Sequence, residues 1–175
     1  HLSSTLNAVN IIDEIYSLKQ PDEPFILSSG HAALAMYVVQ EKYEGRDAVE
    51  LFHKHGVHPH RCLEDGIHCS TGSLGMGLTV ATGYALANRD RKVHCLISDG
   101  ECGEGSIWEA ALHASKHELG NLCVIMDYNK MQASGQVNEV LPLEPIIDKW
   151  NSFGFESTEV IKAINAASSN KSDGL

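Results

Sequence analysis

No stretch of this 175-residue sequence approaches the roughly eighteen consecutive apolar residues that a membrane-spanning helix needs, so no membrane partner is expected. The first residues do not run basic, then apolar, then small, so no secretory signal is expected either. Basic residues are scarce. Thirteen Lys and Arg stand against 23 Asp and Glu, a formal net charge of −10. That balance repels phosphate backbones and argues against nucleic acid as a partner. An anionic cofactor would need local help from a metal ion or helix N-termini. The five cysteines, Cys62, Cys69, Cys95, Cys102 and Cys123, include no Cys-x-x-Cys pair. An odd count without such a pair argues against a disulfide framework and for a reducing cytoplasm, with plain core or loop thiols. Internal repeats and low-complexity blocks are absent too. The length allows one domain with a real core and is too short for two, so residues 1–175 read as a single domain in which 161–175 have no firm place.

What is present reads as alternating helices and strands. In residues 6–18, Leu6, Val9, Ile12 or Asp13, and Tyr16 recur at helical spacing. Pro21 and Pro24 end that helix and introduce an extended Phe25-Ile26-Leu27. The turn Ser28-Ser29-Gly30-His31 leads into an apolar run, 32–39, that reads as a buried helix. Residues 53–71 show weak periodicity and read mostly as loop. Residues 73–87, rich in Gly and Ala, read as a helix packed very close to another backbone, and a subunit interface is expected there. Two short apolar runs, 93–97 and 122–126, have the character of buried parallel strands. Between them Trp108, Ala111, Leu112, Ser115 and Leu119 mark one helix face. Strand, helix, strand at this length is a βαβ unit. The fold class is therefore α/β, a doubly wound parallel sheet flanked by helices. Residues 143–153 read as a further helix, 155–160 as a strand, and the tail beyond 167 as solvated.

The chemistry gathers where these strands end. Ligands of open α/β sheets sit beyond the carboxyl ends of the strands. The first strand of the βαβ unit runs into Ser98-Asp99-Gly100-Glu101, and the second into Asp127-Tyr128-Asn129-Lys130-Met131. If the two strands are neighbours, a carboxylate, an Asn oxygen and a backbone carbonyl come together as a hard-cation site. Such a site suits Mg²⁺ with diphosphate oxygens completing its shell, with Ca²⁺ or Mn²⁺ as alternatives. A helix starting near Glu104 would aim its N–H groups at the phosphate.

Asp99 and Asn129 stand thirty positions apart, with Glu-Gly, helix and strand between them. This resembles the thiamine diphosphate motif, which begins Gly-Asp-Gly and ends in Asn; Ser98 replaces its first Gly. The resemblance extends to transketolases in particular. Residues 101–111, Glu-Cys-Gly-Glu-Gly-Ser-Ile-Trp-Glu-Ala-Ala, look like the segment that follows the motif in that family. Ser70-Thr71-Gly72-Ser73-Leu74-Gly75-Met76-Gly77 looks like its Thr-Gly-Ser-Leu-Gly-x-Gly loop. Leu27-Ser28-Ser29-Gly30-His31 looks like its Leu-Ser-x-Gly-His segment, and His58-Pro59 and His1 also have counterparts. The matches follow family order from residue 1 to about residue 155.

The resemblance implies thiamine diphosphate as cofactor, with its metal held by Asp99, Asn129 and the Met131 carbonyl. Gly100, with Glu101 beside it, and the backbone of Gly72, Ser73 and Leu74 would line the cofactor. His31 would lie near it, and His1 and His58 in the substrate pocket. Glu104 would sit at a subunit contact linking paired active sites. The implied reaction moves a two-carbon ketol unit from a ketose phosphate to an aldose phosphate, and histidines suit the proton transfers at sugar hydroxyls. The family completes each site with a second, pyrimidine-binding module. The implied partner is therefore a C-terminal transketolase subunit, in a homodimer or heterotetramer. The family's Lys-Gly-x-Gly loop has no counterpart after Val160, so the chain reads as shortened or as lacking segments.

Other readings stand beside these. Glu104 also suits a plain first-turn glutamate favoured by the helix dipole. His53, His55, His58 and His60 crowd together, but no Cys pair or His-Glu-x-x-His accompanies them to define a zinc site. His60, His68, His94, His113 and His117 read as surface or helix histidines. A related thiamine synthase, or a non-catalytic remnant of the fold, are the alternatives to a split transketolase.

Overall fold

The structure is a computed structural model that describes residues 2–155. Helix α1 (Leu2–Leu18) begins earlier than the spacing predicts. Its buried stripe is Ala8, Ile11, Ile12, Ile15 and Tyr16, so Leu6 and Val9 fall outside the fully buried face. After the prolines, β1 (Phe25–Leu27) pairs in parallel with β2 (Val93–Ser98), and β2 pairs in parallel with β3 (Leu122–Asp127). The register sets Ser98 beside Asp127, so the two strands end at one edge, and β1 runs the same way.

Side chains alternate along these strands and divide the core in two. Ile26, Cys95, Ile97, Val124 and Met126 face α4 (Met76–Ala87) and α5 (Gly105–Lys116). Phe25, Leu27, Leu96 and Ile125 face α1 and α2 (Ala33–Glu44). Helices thus cover both faces, which is why the strands are mostly apolar and the sheet is doubly wound. None of the described helices is long and apolar enough to cross a membrane.

Three local expectations are corrected. Residues 53–55 are not loop but the last turn of α3 (Ala48–His55). Only Ala48 and Leu51 of that helix are buried, too few to show a period, and the Asp47 side chain caps it by accepting from the Glu50 N–H at 2.9 Å. On α5 the buried face is Ile107, Ala110, Ala111 and Ala114, while Leu112 is 61% exposed. His94 is neither a surface nor a helix residue. It is buried on β2 with Nε2 at 3.0 Å from Glu23 Oε2.

Burial alone would raise the Glu23 carboxyl, but hydrogen bonds from the Gln20 backbone and from His94 outweigh it and hold the group below its ordinary value. A depressed carboxylate stabilises the fold above its unfolded pKa, about 4.3, and that contribution fades as pH falls through the folded value. Glu23→Gln is expected to lower stability by about 1 kcal/mol at neutral pH. The gap from the parent should close in the acid range, as read by thermal melts at stepped pH.

Beyond β3 the chain forms a small hairpin, β4 (Met131–Gln132) with β5 (Gly135–Gln136), then α6 (Val137–Val140) and α7 (Ile146–Ser152). Trp150 of α7 packs on Trp108 with ring centroids 5.4 Å apart, which docks this end against α5. The expected strand at 155–160 lies, Phe155 aside, outside the described residues.

Candidate active site

The carboxyl ends of all three sheet strands open onto one edge, and each ends in polar residues. Asp99 follows β2 at the start of a 3-10 turn (Asp99–Gly103) and is 2% exposed. Its carboxylate accepts from its neighbour's amide, Gly100 N–H, at 2.8 Å and from Lys130 N–H at 2.8 Å. The second bond ties the loop after β3 to the loop after β2. It requires the backbone at Lys130 to turn left-handed, with φ 63°, a conformation that non-glycine residues seldom adopt and that recurs at functional sites.

Burial, with the nearby charge of Asp127 also acting, pushes Asp99 up to about 6, against the pull of its two hydrogen bonds. Asp127 itself is raised by burial, partly offset by a hydrogen bond with Asn129. Asn129 Oδ1 accepts from Met131 N–H at 2.9 Å, so the Asn129 side chain is held from both sides. Asp127 and Lys130 were not singled out by the sequence. Their position beside Asp99 comes from the strand register and the left-handed turn.

Glu101 is fully buried, and its carboxylate gathers donors from three segments. Oε1 accepts from Ser28 Oγ at 2.5 Å and from Gly75 N–H at 2.8 Å, and Oε2 accepts from Ser98 N–H at 2.9 Å. Ser28 Oγ in turn accepts from Gly77 N–H at 3.1 Å. A Cβ on Gly77 would lie 2.5 Å from Ser28 Cα, so the small residues of α4 let two backbones touch within this chain. Gly75, with φ 80°, makes the left-handed turn into α4. Gly72, Ser73 and Leu74 form the exposed loop just before it.

His31 lies on the 3-10 turn (Gly30–Ala32) after β1, half-buried. Its pKa is lowered by burial first and then by the charge of His58, which the fold brings close although 27 positions separate the two. The His58 loop is held by Pro59, whose carbonyl accepts from Thr71 N–H at 2.9 Å and Thr71 Oγ1 at 3.0 Å. Glu104 is exposed at the N-cap of α5 and its side chain caps no backbone N–H there. His1 lies outside the described residues.

The donor set suits a metal-bound diphosphate. A buried and a half-buried carboxylate of like charge, Asp99 and Asp127, are relieved by a hard cation, and Asp99, Asn129 Oδ1 and the Met131 carbonyl are oxygen ligands of the right kind. Gln132 Nε2 is buried without a hydrogen-bond partner among the described residues, and its side chain lies over Gly100, whose absent Cβ would meet Gln132 Cγ at 3.7 Å. An orphaned donor there is suited to an anionic oxygen.

The fold and this acid-lined edge define an α/β module of the cofactor-binding kind. Residues 19–172 match the family model for "Transketolase, thiamine diphosphate binding domain", and the chain belongs to the transketolase family. It is 35% identical to an apulose-4-phosphate transketolase subunit of Phocaeicola vulgatus, over 91% of this chain and 64% of that protein. It is 31% identical to the 6-deoxy-6-sulfo-D-fructose transketolase subunit SqwG of a Clostridium species, over 95% of this chain and 71% of that protein. Among solved structures, the transketolase of Campylobacter jejuni superposes with a TM-score of 0.71 at 25% identity, covering 92% of this chain and 30% of that one. The transketolase of Leishmania mexicana has the same fold, with a TM-score of 0.71 at 24% identity, over 94% of this chain and 30% of that one. The chain thus spans about two thirds of the subunit relatives and under a third of these transketolase chains.

Proposed function

We propose that this chain is the diphosphate-binding subunit of a split transketolase, which moves a two-carbon ketol unit between sugar phosphates together with a pyrimidine-binding partner subunit. The observation that carries this reading is the Asp99 carboxylate, buried and braced by Gly100 and Lys130 beside Asp127 and Asn129. Asp99, Asn129 and the Met131 carbonyl would hold Mg²⁺, and the loop 72–74 with Gly100 would line thiamine diphosphate. The cofactor, when bound, supplies the carbon nucleophile for breaking and remaking a C–C bond beside a carbonyl. His31 and His58 would exchange protons with sugar hydroxyls. The lowered pKa keeps His31 neutral and able to accept a proton over a wider pH range. Glu104, exposed at its helix start, would face a partner subunit. Five free thiols are compatible with a reducing cytoplasm as the setting.

The test is calorimetric titration of thiamine diphosphate with Mg²⁺ into the purified protein, alone and with a candidate C-terminal subunit. Affinity should rise by at least about tenfold when the partner is present, because the second module then grips the other half of the cofactor. Equal and measurable binding in both cases would sink the split-subunit reading. No binding in either would favour a non-catalytic remnant of the fold.

A further inference from the structure

We propose that His55, Cys62 and Asp65 form a second, separate metal site, for a zinc-type cation, that clamps the base of the loop carrying His58. Their ligand atoms, the His55 ring nitrogen, Cys62 Sγ and an Asp65 carboxylate oxygen, all lie within 4.8 Å of one another. His55 Nε2 is 2.6 Å from Asp65 Oδ2, and the Cys62 thiol donates to the same oxygen at 3.3 Å. In a tetrahedral site with metal–ligand bonds of about 2.0–2.3 Å, neighbouring ligand atoms stand about 3.3–3.7 Å apart. Loss of the shared protons, an opening of about 0.7 Å between His55 and Asp65, and adjustment of His55 and Cys62, which stand within 4.8 Å, to about 3.5 Å would admit the ion. Thiolate, imidazole and carboxylate together select zinc over magnesium or calcium. Three protein ligands leave the fourth position to water.

The backbone holds this arrangement without a metal. Cys62 and Ile67 exchange two hydrogen bonds of 2.9 Å, and Asp65 N–H donates to the Cys62 carbonyl at 3.2 Å, closing the turn Leu63–Asp65. His55 reaches it from the end of α3, and its side chain is only 9% exposed against 16% for Asp65.

Two cations lie nearby. Lys54 Nζ is 2.6 Å from Asp65, but its side chain is half exposed, and a solvent-screened surface pair of this kind yields readily to a metal ion. Arg46 reaches Asp65 only at 4.0 Å and is already paired with Glu44 at 2.6 Å.

The consequence lies in residues 56–61, the loop between the ligands. This loop bears His58, and Pro59 anchors it to Thr71, against which Gly30 is packed. A metal across its base would fix how His58 approaches His31. The crowding of histidines in the sequence did not point here. The structure selects one of the four and adds a thiol and a carboxylate.

Cobalt(II) added to the purified protein should give thiolate-to-cobalt charge transfer and strong tetrahedral ligand-field bands that saturate at one equivalent and are displaced by zinc. Cys62→Ser should abolish them. Asp99→Ala, which alters the other site, should leave them intact. Zinc should also slow alkylation of Cys62 in the unmutated protein by at least about tenfold, read by peptide mass mapping, while Cys123 is unaffected. That arm needs no variant to fold. Absence of the charge-transfer band, its survival in Cys62→Ser, or equal alkylation of Cys62 with and without zinc would each overturn the site.

Discussion

Asp99→Ala is expected to weaken thiamine diphosphate binding in the presence of Mg²⁺ by more than about 100-fold, since loss of mere outer-shell partners of a metal already costs about 10–100-fold. The substitution removes a hard anionic oxygen from the proposed metal site, where Asn129 and the Met131 carbonyl would be the other donors. Its effect on the fold should be far smaller. Gly100 and Lys130 N–H would lose their acceptor, at about 1–3 kcal/mol for each that stays dry, but the mutual repulsion with Asp127 would go too. A net loss below about 3 kcal/mol corresponds to a melting shift under about 12 °C for a chain of this size. Asp99→Asn keeps an acceptor for one of the two amides, so it should melt closer to the parent and still bind poorly. Calorimetry gives the affinity and scanning calorimetry the fold. Unchanged affinity in a well-folded Asp99→Ala would refute the metal-ligand role.

Glu101→Ala should do the opposite and act first on the fold. Its carboxylate is the acceptor shared by Ser28, Gly75 and Ser98, which lie after β1, before α4 and at the end of β2. Removal strands several donors in a dry interior, which points to about 3–5 kcal/mol, or about 6–20 °C in melting midpoint. Glu101→Gln has the same shape but must turn an NH₂ group toward either the Ser98 amide or the Ser28 and Gly75 donors, so about 1–3 kcal/mol is expected. Cofactor affinity should fall with stability, because the loops that Glu101 joins are those proposed to line the cofactor. The resemblance places Glu101 among the cofactor-lining residues. Its side chain is instead consumed by protein donors, so its part in binding would be to position the loops. A Glu101→Ala protein as stable as the parent would remove that role.

Much of this was legible in the chain itself. The strands 93–97 and 122–126 were readable because a sheet covered on both faces favours near-continuous apolar runs. Asp99, Gly100 and Asn129 stood out because ligand chemistry concentrates where such runs end. Helix α3 was not read from the sequence, since two buried residues make no period. The outward turn of Leu112 was missed because Ala110 and Ala114 give no hydrophobic signal, although they lie on the buried face of α5.

The sequence by itself determined the α/β class, the order of the three sheet strands and of α1, α2, α4 and α5 around them, and the polar residues at the strand ends, because periodicity and composition are local properties of a chain. Tertiary structure alone decided which of those residues meet. Parallel register brought Asp127 and Lys130 to Asp99, the closure of the Gly75 turn onto the end of β1 put the Ser28 and Gly75 donors on Glu101, and the packing of α3 against the 60s turn joined His55 to Cys62 and Asp65. Contacts between distant residues depend on how whole elements pack, and no pattern within a short window encodes that.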